Sequence, residues 1–232
     1  RNDPDAEDWW YRLRVHALPA VPGERMLLVL AGRASVAHAW LNGEPLLQSD
    51  NMFASHRCEV GARLRADNEL VLCFRALDAL LQARRGRPHW RTPMVEHQQL
   101  RWIRTSLLGR TPGWSPPAAA VGPWRGVWLE RRRVLEVQDL SRSALRDGDS
   151  GSAQLQCRAA PLGGARLRSA TLCLERDGRQ FRAPLQLHGQ APLSGAQPGE
   201  VQLAARLQLP RVTRWWPHTH GEPALYRARL LV

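Results

Sequence analysis

Residues 95–130 read VEHQQLRWIRTSLLGRTPGWSPPAAAVGPWRGVWLE, and the fold turns on what this segment can and cannot form. Pro112, Pro116, Pro117 and Pro123 each remove a backbone donor and fix φ, which excludes a helix or a central strand. Between Glu96 and Leu129 the segment still carries four of the chain's ten tryptophans, Trp102, Trp114, Trp124 and Trp128. It also carries Arg101, Arg104, Arg110 and Arg125, with Glu96 as its one carboxylate. Large aromatic faces on an ordered, irregular loop make a binding surface. Sugars pack their flat C–H arrays on such faces, and guanidinium donors around them reach the hydroxyls.

Upstream, residues 11–17 alternate Tyr11, Leu13 and Val15 with Arg12, Arg14 and His16, the period of a half-buried strand. Residues 19–23 turn the chain, and the apolar run 25–32 fits a strand buried on both faces. Residues 34–41 lead into Asn42-Gly43, a strong hairpin signal, with a return strand at 45–48. Strands are expected at 53–60 and 69–76, joined by a turn at 66–68. Leu77, Leu80, Leu81 and Arg84 fall at helical spacing and predict one short helix. Residues 126–132 read as a closing strand, expected to pair back near the first.

Beyond Arg133 the character changes. Residues 154–158, 170–174, 181–187, 201–209 and 224–232 alternate cleanly, separated by Gly- and Pro-rich turns at 161–164, 177–178 and 190–199. Strands at this spacing predict an immunoglobulin-like β-sandwich. Cys157 and Cys173 flank no tryptophan, so the sandwich is of the sort that needs no disulfide.

Several pieces, in order, carry a resemblance: Trp9-Trp10-Tyr11-Arg12, Trp40-Leu41-Asn42-Gly43, Ser49-Asp50-Asn51-Met52-Phe53, Asp67-Asn68-Glu69-Leu70, Gly113-Trp114, and Gly122-Pro123-Trp124-Arg125 with Val127-Trp128-Leu129. Together they resemble the N-terminal sugar-binding domain of glycoside hydrolase family 2, in its β-mannosidase-like branch. Residues 214–226, with Trp215-Trp216-Pro217 and Leu225-Tyr226, are similar to the end of the sandwich domain that follows it in that family. The resemblance implies an all-β chain: a jelly-roll (galactose-binding-like) sandwich over 1–133, then an immunoglobulin-like sandwich over 134–232. It implies a carbohydrate substrate and, as partner, a C-terminal catalytic (β/α)₈ barrel of the same parent chain, holding the two glutamates of a retaining mechanism.

The branch commonly reads Gly-Trp-Asp-Trp-Gly-Pro where this chain has Gly113-Trp114-Ser115-Pro116-Pro117, so the tryptophan is kept and the acid is a serine. The resemblance places Trp114 and Ser115 toward the barrel's sugar pocket, with Arg101, Arg104 and Glu96 as further candidate substrate-binding residues. Two readings of Trp114 stay open: it stacks on a sugar, or it packs the loop against the sandwich. For Glu96 a structural ion pair with a nearby arginine outweighs a catalytic role.

No complete active site is expected. The chain has no βαβ alternation and ends at Val232, short of any barrel. Asp147 and Asp149 sit in a solvated hairpin or loop, and His218 and His220 lack a third ligand, so neither a catalytic pair, a metal site nor a cofactor is expected. Cys58, Cys73, Cys157 and Cys173 show no metal spacing. Their count permits pairing, but a chain of this size needs no staples, and free buried thiols are expected.

Arginine supplies every basic charge behind the net +12, with no lysine present. The arginines are spread through both halves rather than gathered on one face, which argues against nucleic-acid binding. The run Arg131-Arg132-Arg133 reads as a solvated domain junction. No stretch is long and apolar enough to span a membrane as a helix. The acidic start without Met suggests a fragment, so compartment is not legible from it; a cytoplasmic setting is preferred to a bacterial periplasm. The function expected is that of a non-catalytic portion shaping the pocket of a β-mannosidase-like hydrolase. The alternative is a stand-alone carbohydrate-binding module.

Overall fold

The computed structural model describes residues 3–17, 19–83, 85–86, 89–188 and 200–232. They form two compact units, Arg1–Arg131 and Arg132–Val232. Fourteen strands and one five-residue α-helix are described: β1 (Trp9–His16), β2 (Arg25–Leu30), β3 (Ala37–Leu41), β4 (Glu44–Ser49), β5 (His56–Glu59), β6 (Asp67–Phe74), α1 (Leu77–Leu81), β7 (Val127–Arg132), β8 (Leu135–Asp147), β9 (Ser150–Pro161), β10 (Thr171–Arg176), β11 (Arg179–Pro184), β12 (Gln186–His188), β13 (Val201–Leu209) and β14 (Arg227–Leu231). The all-β expectation holds for both units.

In the N-terminal unit a sheet of order β1-β6-β3-β4 faces a second of order β5-β2-β7. Alternate residues make the core: Met26, Leu28 and Leu30 from β2, Ala37, Ala39 and Leu41 from β3, and Leu70, Leu72 and Phe74 from β6. Asn42 and Gly43 both adopt positive φ, as the hairpin requires, and Asn42 further holds the β6 backbone by accepting from Glu69 N at 2.9 Å.

Three expectations are corrected. β7 pairs not with the first strand but with β2, where Val127 and Leu129 reach the same core as Met26, Leu28 and Leu30, and Ala31 N donates to Gly126 O at 3.1 Å beside the pairing. β1 is an edge strand whose Tyr11 and Leu13 stay 40% and 55% exposed, more open than half-buried. The expected strand 53–60 is shortened to β5, because Asn51 Oδ1 accepts from Phe53 N at 3.0 Å and holds 51–53 as a side-chain-closed turn. The short helix is present as α1, while Arg84 lies outside the described residues.

In the C-terminal unit a sheet of order β12-β13-β9-β8 packs on one of order β11-β10-β14. Leu203, Ala205, Leu207 and Leu209 of β13 and Leu155, Cys157 and Ala159 of β9 meet Leu172 and Leu174 of β10. β13 matches the expected 201–209, and the 190–199 turn lies outside the described residues. β8 was not anticipated, since residues 139–147 are exposed on both faces and carry no alternation to read. It forms a hairpin with β9 around Gly148 (φ 55°), which keeps Asp149 in solvent.

All four cysteines are free; three are buried and Cys58 is half-buried. The triple-arginine run is not simply solvated: Arg131 Nη1 lies 3.6 Å from Glu24 Oε2, and Arg132 pairs with Glu136 four residues on.

The most buried charge is Arg33, 1% exposed. Its guanidinium donates to Leu30 O at 2.6 Å, Ala54 O at 3.0 Å and Ser49 Oγ at 3.3 Å, tying the end of β2 to the turn after β4. Removing it strands buried acceptors and opens a cavity, so Arg33→Ala is expected to cost about 3 kcal/mol or more. Urea unfolding checks this; a loss below 1 kcal/mol would mean that water replaces the side chain freely.

Candidate functional site

Turns within the loop 95–125 satisfy part of its backbone, and neighbouring segments supply partners for more of it. Part of that service comes from Ala34, which exchanges two backbone hydrogen bonds with Gly122, and part from Met52. Its N donates to Arg104 O at 2.9 Å, its O accepts from Trp124 Nε1 at 2.9 Å, and its Sδ accepts from Ser106 N at 3.0 Å. Ser35 Oγ and Thr105 Oγ1 share a further short hydrogen bond. One turn of 3₁₀ helix, Gln98–Trp102, forms ahead of the first proline of the segment.

Glycine is needed at two points. At Gly109 (φ 83°) a Cβ would collide with the carbonyl of Ala118. At Gly122 (φ 114°) it would sit 2.5 Å from Tyr11 Oη, where the loop crosses β1.

The loop encloses a cavity of about 520 Å³, within the size range of small-molecule sites. Asp5, Asp78, Glu96, His97, Arg110 and Ser115 contribute to its lining. Arg110 grips Asp5 bidentately, with Nε to Oδ2 and Nη2 to Oδ1 both at 2.6 Å, and Nη1 donates to Ser106 O at 2.8 Å. Both side chains are almost fully buried, which makes this a strong charge-assisted pair. Asp78 N donates to Asp5 O at 3.1 Å, docking α1 on the same residue. Burial raises the Asp78 carboxyl above its ordinary range, and the neighbouring Asp3 and Asp5 raise it further, against the opposing pull of His97 and Arg110. The lining thus offers several carboxylate acceptors and one committed guanidinium, a set suited to hydroxyl donors.

The five residues singled out from sequence separate into three groups. Glu96 and Ser115 line the cavity. Glu96 is exposed and makes no ion pair among the described residues, which corrects the expected pairing with an arginine. Ser115 Oγ accepts from Gly109 N at 2.9 Å and meets Thr111 Oγ1 at 3.0 Å, so the hydroxyl closes the turn that carries Trp114. Trp114 stands between lining residues Gly113 and Ser115 and is 76% exposed. Arg101 is committed to the loop itself. It donates to Gln98 O and Oε1, each at 2.7 Å, and to Trp90 O at 3.0 Å, and its Cζ lies 4.2 Å from the Trp90 ring centroid. Arg104 serves through its backbone carbonyl, while its exposed guanidinium has no partner among the described residues.

Sequence reasoning missed Asp5 and Asp78 and counted Arg110 among the loop's hydroxyl-reaching guanidinium groups, whereas it is committed to Asp5 and Ser106. No local pattern marks Asp5, whose partner is 105 residues away.

The chain is thus an all-β pair of sandwiches whose N-terminal unit carries a cavity lined in part by carboxylates. Residues 3–125 match the model described as glycosyl hydrolase 2 galactose-binding domain-like, and the chain belongs to that family. It is 28% identical over 233 residues to beta-mannosidase B of Aspergillus terreus, covering 95% of this chain and 25% of the relative. It is 30% identical over 244 residues to beta-mannosidase B of Thermothelomyces thermophilus, covering 96% and 25%. The crystal structure of the β-D-mannosidase from Dictyoglomus thermophilum matches with a TM-score of 0.73 at 18% identity, over 98% of this chain and 27% of that one. The chain therefore spans about a quarter of the length of the curated relatives it matches.

Two outcomes test the cavity. Asp5→Ala leaves Arg110 buried without its anion and is expected to cost about 3–5 kcal/mol, with faster proteolysis of the 106–115 segment. Because the Asp78 pKa is raised in the fold, its ionisation opposes folding above that pKa and has no effect below the unfolded carboxyl range. Asp78→Asn should therefore raise the melting temperature at neutral pH, and the gain should vanish as the pH falls below about 4. A gain that persists in acid would exclude the carboxyl as its source.

Proposed function

We propose that this chain is the non-catalytic N-terminal portion of a β-mannosidase-like glycoside hydrolase. Its jelly-roll domain (1–133) supplies one wall of the substrate pocket, and its immunoglobulin-like domain (134–232) links that wall to a catalytic (β/α)₈ barrel. The parent enzyme would be a retaining hydrolase whose two glutamates lie in the part of the relatives' length that this chain does not span. The observation that carries the reading is Trp114, 76% exposed on a hydrogen-bonded turn at a cavity whose lining includes its two neighbours. A tryptophan held in place with an open face is suited to stacking on a pyranose, and carboxylate acceptors beside it suit the hydroxyls.

The stand-alone binding module is the weaker reading. Phe53, Trp90, Met94, Trp102, Leu107 and Leu108, on the loop or beside it, are all exposed large hydrophobic residues, as a surface meant to be covered would present. Covering by a further body of the parent chain accounts for them.

Two measurements test the proposal. The isolated chain should not turn over aryl β-mannosides; turnover abolished by Asp78→Asn or Glu96→Gln would place a complete active site here. In the full-length parent enzyme, Trp114→Ala should lower kcat/KM by the equivalent of roughly 1–3 kcal/mol while the melting temperature of the isolated chain stays nearly unchanged. Activity lost only in proportion to folded protein would make Trp114 a packing residue.

A further inference from the structure

The outer face of the C-terminal unit's larger sheet carries a second hollow, of about 440 Å³, remote in sequence from the loop cavity. Its geometry follows from strand register. Gln186 of β12, Ala204 of β13 and Gln156 of β9 lie directly opposite one another in a row, and Arg206 of β13 lies opposite Gln154 of β9 in the adjacent row. All five belong to the hollow's lining, with Pro184 at its end. Gln186 and Gln156 are separated by two strand spacings, about 10 Å, and Ala204 between them contributes only a methyl. The alanine is therefore the floor and the two carboxamides are opposite walls.

Among the described residues, no hydrogen bond or ion pair engages the side chains of Gln154, Gln156, Gln186 or Arg206. Each carboxamide offers a donor pair and an acceptor in one plane, and Arg206 adds planar donors. The lining has no carboxylate and no large apolar side chain, and its single charge is Arg206. A cation finds no counter-charge here, an apolar ligand no surface to cover, and a polyanion only one guanidinium. Paired donors and acceptors at fixed spacing suit vicinal hydroxyls, which both donate and accept.

We infer that this hollow is an accessory binding site for a neutral oligosaccharide, separate from the pocket-wall role of the N-terminal unit. It holds a sugar chain by carboxamide and guanidinium hydrogen bonds without aromatic stacking. Its affinity is accordingly modest, since each such bond contributes little net free energy against water.

The test is a titration of the isotope-labelled 232-residue chain with β-1,4-linked mannotetraose and, in parallel, cellotetraose, followed by backbone amide NMR. One or both sugars should shift the amides of residues 154–156, 184–186 and 204–206. Gln154→Leu combined with Gln156→Leu should weaken that binding about tenfold, the loss of two hydrogen bonds. Ala204→Phe fills the floor with a side chain well suited to an exposed strand and should abolish binding with the fold intact, as judged by an otherwise unchanged amide spectrum. Trp114→Ala should leave the response at these residues unaltered, so failure of the pocket-wall reading would not be mistaken for failure of this one. Absence of shifts at these residues with both sugars, or binding undiminished by Ala204→Phe, would overturn the assignment.

Discussion

The loop that carries the candidate site has almost no regular structure, and what keeps it from being a floppy appendage is the turn around Met52. Backbone N–H, backbone C=O and thioether of that one residue each take a partner from 104–124, and Arg33 holds the same turn from beneath through Ala54 and Ser49. The order of dependence runs from core to loop. β2 must be buried for Arg33 to sit where it does, the turn must be held for Met52 to be presented, and only then does the segment from Arg104 to Trp124 have fixed anchor points. Binding surfaces on loops are usually precise only when a rigid scaffold supplies such anchors.

The second determinant is electrostatic. An arginine and an aspartate almost excluded from water gain little net stability from each other's presence, yet losing either is costly, so the pair acts as a requirement on the arrangement of its surroundings. Here it joins the segment ahead of β1 to the middle of the loop, and α1 docks on the same aspartate. Burial first, and then the neighbouring Asp3 and Asp5, raise the Asp78 carboxyl. The fold thus disfavours the ionised form of Asp78 at the cavity.

Much of the fold was legible because strands announce themselves by period. β2, β3 and β13 bury alternate or continuous apolar residues and were readable within a residue or a few, and Asn42-Gly43 placed the first hairpin. What stayed hidden had no local signature. β8 is a strand by pairing with β9 alone, and nothing in the spacing of Leu140, Arg142 and Leu145 distinguishes it from a polar loop. Pairing of β7 with β2 is a topological choice that the local pattern of 126–132 does not encode. At the site, Trp114 was conspicuous as a residue type, whereas Ser115 and Arg101 were assigned to ligand when their polar atoms are engaged by the loop's own backbone and side chains. A polar side chain in an irregular segment serves the segment first, and only three-dimensional accounting shows what is left over.

The distance along the chain between Asp5 and Arg110 has a consequence in time. During synthesis the strap ahead of β1, in which Trp9 Nε1 reaches Pro4 O and Asp8 Oδ1 reaches Ala76 N, emerges before its partner and must wait. More than a hundred residues follow before its guanidinium partner leaves the ribosome. Long-range closures of this kind are late events, since their entropy is spent before any contact rewards it. The β-sandwich core can therefore consolidate around β2, β3 and β6 while the cavity is still unmade, and within the N-terminal unit the cavity closes late.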